Sequence, residues 1–181
     1  GPERQAEKDR ERALEQNQEY QARLAELKAM PADGPLLGYL RFLHNEPGDI
    51  GEQVRRMILA RPNLRGDLET MLRNQEYQEA LGYIRSEMRT APPELAPAAA
   101  DGVRQLAAWL KVRVGYGVSY DDEYGFECRL ATEVAERFGK ESAMFVEPMQ
   151  LVLSAVESAS DPRTASAGRH EVRRWLKNHS K

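Results

Sequence analysis

The sequence has one cysteine in 181 residues and no apolar run that approaches the roughly 20 residues a membrane-spanning helix needs. Cys128 therefore has no second cysteine for a disulfide within the chain, which is typical of proteins in a reducing compartment. The N-terminus also lacks the apolar stretch of a secretory signal. These absences predict a soluble, cytoplasmic protein without a membrane span.

The sequence also lacks a large excess of charge of one sign. It contains 26 basic and 29 acidic residues, for a net charge of −3. A domain whose whole surface binds nucleic acid is usually strongly basic. The balance argues against that class of protein and leaves only a local basic patch open.

Signatures of catalysis and of cofactor binding are incomplete. Residues 115–120 begin like a dinucleotide fingerprint, but Tyr120 replaces its third glycine. Residues 117–121 lack the last glycine of a nucleophile elbow. Arg174 stands where a zinc-protease helix starting at His170 needs its second histidine. We predict no catalytic residue, no cofactor and no metal site, and hence a protein that is not an enzyme.

Two chemically suggestive features have simpler interpretations. The carboxylates of Asp121, Asp122, Glu123 and Glu127 are suited to a hard cation or to acid–base catalysis, but acidic residues commonly complement a helix N-terminus. Cys128 has no histidine nearby in the sequence, so a buried, inert thiol is the favoured interpretation.

Proline- and glycine-containing breaks separate segments with helical periodicity. The opening Gly1-Pro2 is typical of the remnant of a cleaved expression tag, so we expect the natural protein to continue upstream. The predicted organisation is a polar helical arm over 3–30, a helical-hairpin subdomain over 31–91 and a C-terminal helical subdomain over 98–181. The proline-rich segment 90–97 is the boundary, although the last two parts are also compatible with one domain.

The fold class that follows is all-α, with about nine helices arranged as a bundle or as stacked hairpins behind a long polar N-terminal helix. Ser119 and Asp122 resemble a capping box, which predicts that a helix begins there and continues to Phe138. Near Asn74 the apolar stripes change phase, which indicates a turn, with one continuous bent helix as the alternative. We expect the last helix over about 166–178.

The N-terminal arm has a weak heptad pattern. Candidate a and d positions are good only in the last turns, at Tyr20, Leu24 and Leu27. The arm is therefore interpreted as a solvated helix that docks on its own domain, with a homodimeric coiled coil as the alternative.

Residues 75–81, together with Ile84 and Pro92, resemble the second helix of a tetratricopeptide repeat, and Leu64 and Met71 suit its first helix. The resemblance covers one repeat at most and departs from the family pattern at 67–68, where Asp and Leu replace a leucine and a glycine. It implies a helical hairpin rather than membership of that family.

A helix over 36–43 is apolar nearly all round, so it must be buried in a core or covered by a partner. Together with the hairpin, this pattern favours a non-enzymatic adaptor or scaffold module that binds another protein, and we expect the module to be part of a larger chain. The predicted partner-binding residues are Leu36, Leu37, Tyr39, Leu40, Phe42, Tyr77 and Ile84.

The last helix carries a basic ridge, formed by Arg169, Arg173, Arg174 and Lys177, with Lys181 one turn further on. Cations near a helix C-terminus complement its dipole, which explains the ridge without a ligand. Its alternative function is binding of nucleic acid or another anionic surface.

Overall fold

The computed structural model describes residues 1–44, 46 and 48–179. Over these residues the chain forms nine α-helices and no strand, which confirms the predicted all-α class. Within the same residues, no helix combines the length and apolar character needed to cross a membrane. The helices are α1 (Pro2–Ala29), α2 (Leu36–Leu43), α3 (Gly48–Leu59), α4 (Leu64–Leu72), α5 (Tyr77–Glu87), α6 (Ala96–Val114), α7 (Gly125–Glu136), α8 (Val146–Glu157) and α9 (Ser166–His179).

The chain divides into two compact units, an N-terminal unit (Gly1–Leu64) and a C-terminal unit (Arg65–Lys181). The proline-rich segment 90–97, which the sequence predicts to be a boundary between subdomains, lies inside the C-terminal unit. There Pro93–Leu95 forms a 3-10 turn that leads directly into α6. The backbone N–H of Ala91 donates to the carbonyl of Arg137 at 2.8 Å, which ties the segment to the end of α7.

In the N-terminal unit, α3 packs against both α1 and α2. The only buried residue of α1 is Leu27, in its last turns. Arg23 joins this end to its surroundings, because its guanidinium lies 4.0 Å from the Phe42 ring centroid and forms an ion pair with Glu46. Residues 1–19 are all exposed. The helix therefore docks on its own unit through its C-terminal third.

In the C-terminal unit, α6 packs along α8, and α7 packs against α5 and α9. Small residues allow the close approach of α7 and α9. A Cβ atom added at Gly168 would lie 2.8 Å from the Cβ of Cys128 and 2.9 Å from the Cα of Gly125. Side chains larger than glycine do not fit at this crossing without a shift of the backbone.

The predicted start of the seventh helix at Ser119 was wrong, because α7 begins at Gly125. Asp122 and Tyr124 have φ angles of 57° and 71°, in the left-handed region where a right-handed helix cannot continue. The capping carboxylate belongs to another helix, since Asp122 accepts hydrogen bonds from the backbone of Ala167 and Gly168 in the first turn of α9.

The predicted turn near Asn74 is confirmed, and the continuous bent helix is excluded. Helix α4 ends at Leu72 and α5 begins at Tyr77. The Asn74 side chain accepts the backbone N–H of Glu76 at 2.7 Å, an Asx turn that satisfies a free donor at the break. The last helix is also found close to its predicted bounds, whereas Asn45, Pro47, Ser180 and Lys181 lie outside the described residues.

Candidate functional site

The structure buries most of the predicted partner-binding residues. Leu36, Tyr39, Leu40 and Phe42 are at most 8% exposed in the N-terminal unit, and only Leu37 of this group is half-exposed. Tyr77 and Ile84, at 9% and 0%, belong to the C-terminal unit. Burial explains the apolar character of these positions without a partner, so their role as a partner-binding surface stays a prediction.

The basic ridge of α9 is partly occupied by groups of its own unit. The guanidinium of Arg173 donates to Glu157 Oε1, with the Nε at 3.0 Å, and Arg169 donates to the carbonyl of Pro162 at 2.7 Å. Arg174 shares a pocket wall with three glutamates, and Lys177 is exposed. Glu157 offsets the charge of Arg173, and Arg169 already uses an N–H donor within its own unit, so fewer cationic groups of the ridge are free for phosphate. Anion binding by the ridge stays a prediction.

In the acidic cluster between α6 and α7, Asp122 is the residue that contacts another helix. Partial burial by itself raises the pKa of this carboxyl, but hydrogen bonds from Gly168, Arg129 and Ala167 outweigh it and hold the pKa below its ordinary value. Asp122 therefore caps α9 as a carboxylate. Among the described residues, no group of three or more His, Cys, Asp or Glu side chains is arranged to hold a metal ion.

Cys128 is fully buried in α7. Burial, followed by the nearby carboxylates of Glu127 and Asp122, raises the pKa of its thiol to about 12. Since the thiolate is the reactive species, a thiol in this environment is a poor nucleophile at neutral pH.

A different feature, the aromatic surface, combines exposure with anchoring side chains. We define it by four residues that line an open concavity of about 590 Å³: Trp109, Val112 and Arg113 in the last turns of α6, and Tyr116 in the turn that follows the helix. Val112 is 63% exposed and Tyr116 is 83% exposed. The Arg113 guanidinium lies 5.1 Å from the Trp109 ring centroid, a cation–π contact that orients both side chains.

The segment that follows α6 supports this surface. The Tyr124 ring meets Trp109 edge to face, with centroids 6.0 Å apart, and its hydroxyl lies 3.5 Å from the Arg113 carbonyl. Partial burial, and then the charge of Glu123, raises the pKa of Tyr124, so its phenol stays protonated and donates this bond. Tyr124 thus fixes the position of Trp109 at the edge of the aromatic surface.

Paired backbone hydrogen bonds hold the segment after α6 in place. The N–H of Asp122 donates to the Arg163 carbonyl at 2.9 Å, and the N–H of Ala165 donates to the Glu123 carbonyl at 2.8 Å. Asp122, Tyr124 and Ala165 all have positive φ angles. Such backbone strain persists only where surrounding contacts over-determine it, so the segment has one well-defined course beside the aromatic surface.

Comparisons with family models, curated proteins and solved structures find no match to this chain. No family match therefore supports the resemblance of residues 64–92 to a tetratricopeptide repeat.

The aromatic surface was not among the sequence predictions although a signal for it was present. The core stripe of α6 includes Leu106 and Leu110, both fully buried. Trp109 and Val112 lie on a second stripe of the same helix, and Tyr116 follows just past the helix end. One helix with two apolar stripes has more apolar surface than a single neighbouring helix covers. The pattern does not show which stripe stays exposed.

Proposed function

We propose that the protein is a non-enzymatic interaction module, of the adaptor or scaffold type, that binds a partner protein through the aromatic surface of the C-terminal unit. The observation that carries the proposal is the exposure of Val112 and Tyr116 beside Trp109 and Arg113. Tryptophan, tyrosine and arginine are the residues most enriched in energetic hot spots of protein interfaces. The buried cysteine is compatible with a cytoplasmic location, which we include in the proposal.

The chemistry of the surface specifies the contact on the partner. We expect the partner to place an apolar side chain in the concavity between Trp109 and Tyr116. Burial of such a side chain would stabilise the complex by roughly 1.5–3 kcal/mol. Lys111 and Arg113 are exposed on the same helix end, so the anchor is best flanked by a carboxylate. The expected partner therefore presents an aliphatic or aromatic residue next to an acidic one.

The test is partner capture by three immobilised forms of the full chain: wild type, Val112→Asp and Leu59→Asp. Leu59 and Val112 both lie on helices and are 69% and 63% exposed, so the two variants introduce the same charge at similar exposure. A photoreactive phenylalanine analogue at Tyr116 then identifies the polypeptide in direct contact with the surface. Circular dichroism verifies that both variants keep the helical fold.

The proposal requires a protein that is cross-linked at position 116, retained by wild type and Leu59→Asp, and lost with Val112→Asp. Retention of the same proteins by all three forms would contradict it. Absence of any cross-link at position 116 would contradict it as well, because a hot-spot residue lies at the centre of its interface.

A further inference from the structure

Leu14 is an exposed apolar residue in the polar part of α1. It is 58% exposed, and none of residues 1–19 is buried. Each residue of an α-helix adds about 100° of rotation, so Leu14 lies about 80° around the helix from Leu24 and about 140° from Leu27. Leu24 is half-buried and Leu27 is the buried residue of α1. The packing of α1 on its own unit therefore leaves Leu14 uncovered.

The side of α1 that carries Leu14 is acidic. Glu3, Glu7 and Glu11 lie within about 60° of Leu14 around the helix axis, against one cation, Arg10. Glu7 is one turn from each of the other two glutamates, and like charges at this spacing destabilise an isolated helix. A cationic surface relieves this repulsion, so this side of α1 is suited to one.

The aromatic surface has the complementary charge. Lys111 and Arg113 are exposed in the last turns of α6, and the Arg113 guanidinium faces the Trp109 ring rather than a carboxylate. The concavity of about 590 Å³ is open, so a helix that lies across it can insert one apolar side chain, as amphipathic helices do in grooves. Leu14 with the neighbouring Glu11 has the chemistry that this surface requires: an aliphatic residue next to a carboxylate.

We propose that the partner of the aromatic surface is a second copy of this chain. The α1 helix of one copy places Leu14 between Trp109 and Tyr116 of the other copy, with the glutamates beside Leu14 against Lys111 and Arg113. This inference rests on the proposed function, because it names the partner of the same surface. Since closed two-fold dimers are the commonest homo-oligomers, we expect the exchange to be reciprocal, with each α1 docked on the other copy.

Sedimentation velocity of the full chain tests the proposal between about 5 µM and about 500 µM. One apolar anchor and a few exposed ion pairs per docked helix make a weak contact, so the wild type is expected to dimerise with a Kd on the order of 100 µM. Leu14→Asp and Val112→Asp each raise the Kd at least about tenfold. Leu59→Asp is the matched control, because it introduces the same charge at a second leucine of the N-terminal unit, 69% exposed, and leaves the Kd unchanged.

Charge reversal tests the electrostatic part of the contact. Lys111→Glu and Glu11→Lys are each expected to weaken dimerisation about three- to tenfold, and their combination regains most of the loss because opposite charges again face each other. Lys140→Glu changes the net charge as Lys111→Glu does at another exposed lysine of the C-terminal unit, and is expected to have no effect. A double variant that is weaker than both single variants would contradict the pairing of these two sides.

The photoreactive phenylalanine analogue at position 116 identifies the contacting segment. In a mixture of ¹⁵N-labelled and unlabelled chains, the proposal requires cross-links from position 116 to the peptide around Leu14 that join a labelled and an unlabelled chain. Cross-links only within one chain would overturn it. Dimerisation that persists in Val112→Asp would also overturn it, because two α1 helices paired as a coiled coil do not need the aromatic surface.

Failure of this inference is distinguishable from failure of the proposed function. A chain that stays monomeric up to about 500 µM, while position 116 cross-links a different protein from a lysate, would overturn the second copy as partner and leave the interaction module intact. A monomeric chain without any cross-link at position 116 would overturn both.

Discussion

Gly168 of α9 lies so close to Cys128 of α7 that a methyl group on its Cα would come within 2.8 Å of the Cys128 Cβ. The distance is shorter than any ordinary contact between carbon atoms, and the Gly125 backbone lies on the same side at 2.9 Å. The crossing of α7 and α9 therefore depends on the absence of a side chain at position 168.

Gly168→Ala is expected to destabilise the C-terminal unit by about 1–3 kcal/mol, because the added methyl group forces the two helices apart. Urea unfolding followed by tryptophan fluorescence measures this, since both tryptophans lie in that unit. Gly82→Ala is the matched control. No atom lies within 4 Å of the place that a Cβ would take there, so the helix-favouring substitution is expected to stabilise by about 0.5–1 kcal/mol. Equal effects of the two substitutions would contradict the close crossing.

Asp122→Asn is expected to lower the free energy of unfolding by about 1–2 kcal/mol at pH 7, since asparagine tolerates the left-handed φ but loses the charge that faces α9 and Arg129. The folded pKa of Asp122 is depressed. Its stabilising contribution is therefore present above the unfolded pKa of about 4 and is lost as the pH falls through the folded pKa. The difference between wild type and variant should be large at pH 7 and small at the acid end. If the difference in the free energy of unfolding between wild type and variant did not change with pH, the charge of Asp122 would not be what stabilises the fold.

Cys128 is expected to react with a thiol-specific reagent at pH 7.5 more than about 100-fold more slowly in the folded chain than in urea, because it is buried and its thiol pKa is about 12. Absorbance of the released chromophore gives both rates. Fast labelling of the folded chain would show that the crossing of α7 and α9 opens readily.

The exposed part of α1 is expected to lose its amide protons to solvent exchange much faster than α6. None of residues 1–19 is buried, whereas α6 has many buried residues, and helices without tertiary contacts are marginal in water. Hydrogen exchange at two protein concentrations also tests the coiled-coil alternative. Protection of 3–19 that grows with concentration would favour the homodimer over the solvated arm.

Binding of a short double-stranded DNA at about 0.15 M salt is expected to have a Kd above about 10⁻⁴ M, the weak end of non-specific affinities, because Arg169 and Arg173 already contact groups of their own unit. Fluorescence anisotropy measures it. Tighter binding that falls steeply with salt, and that is lost when Arg174 and Lys177 become glutamate, would favour the anionic-surface alternative.

The sequence determined the all-α class and most helix bounds, since helical periodicity and breakers such as Pro35 and Gly139 act over a few residues. It could not show where α7 begins, because the carboxylate of Asp122 is used by α9, more than 40 residues further along the chain. Nor could it separate the core stripe of α6 from the stripe at Trp109 and Val112, of which Val112 is left exposed. Which apolar face is covered depends on the packing of α6 against α8, and which charges of α9 meet carboxylates depends on α7 and α8. These are contacts between segments distant in sequence, so only the tertiary structure decided them.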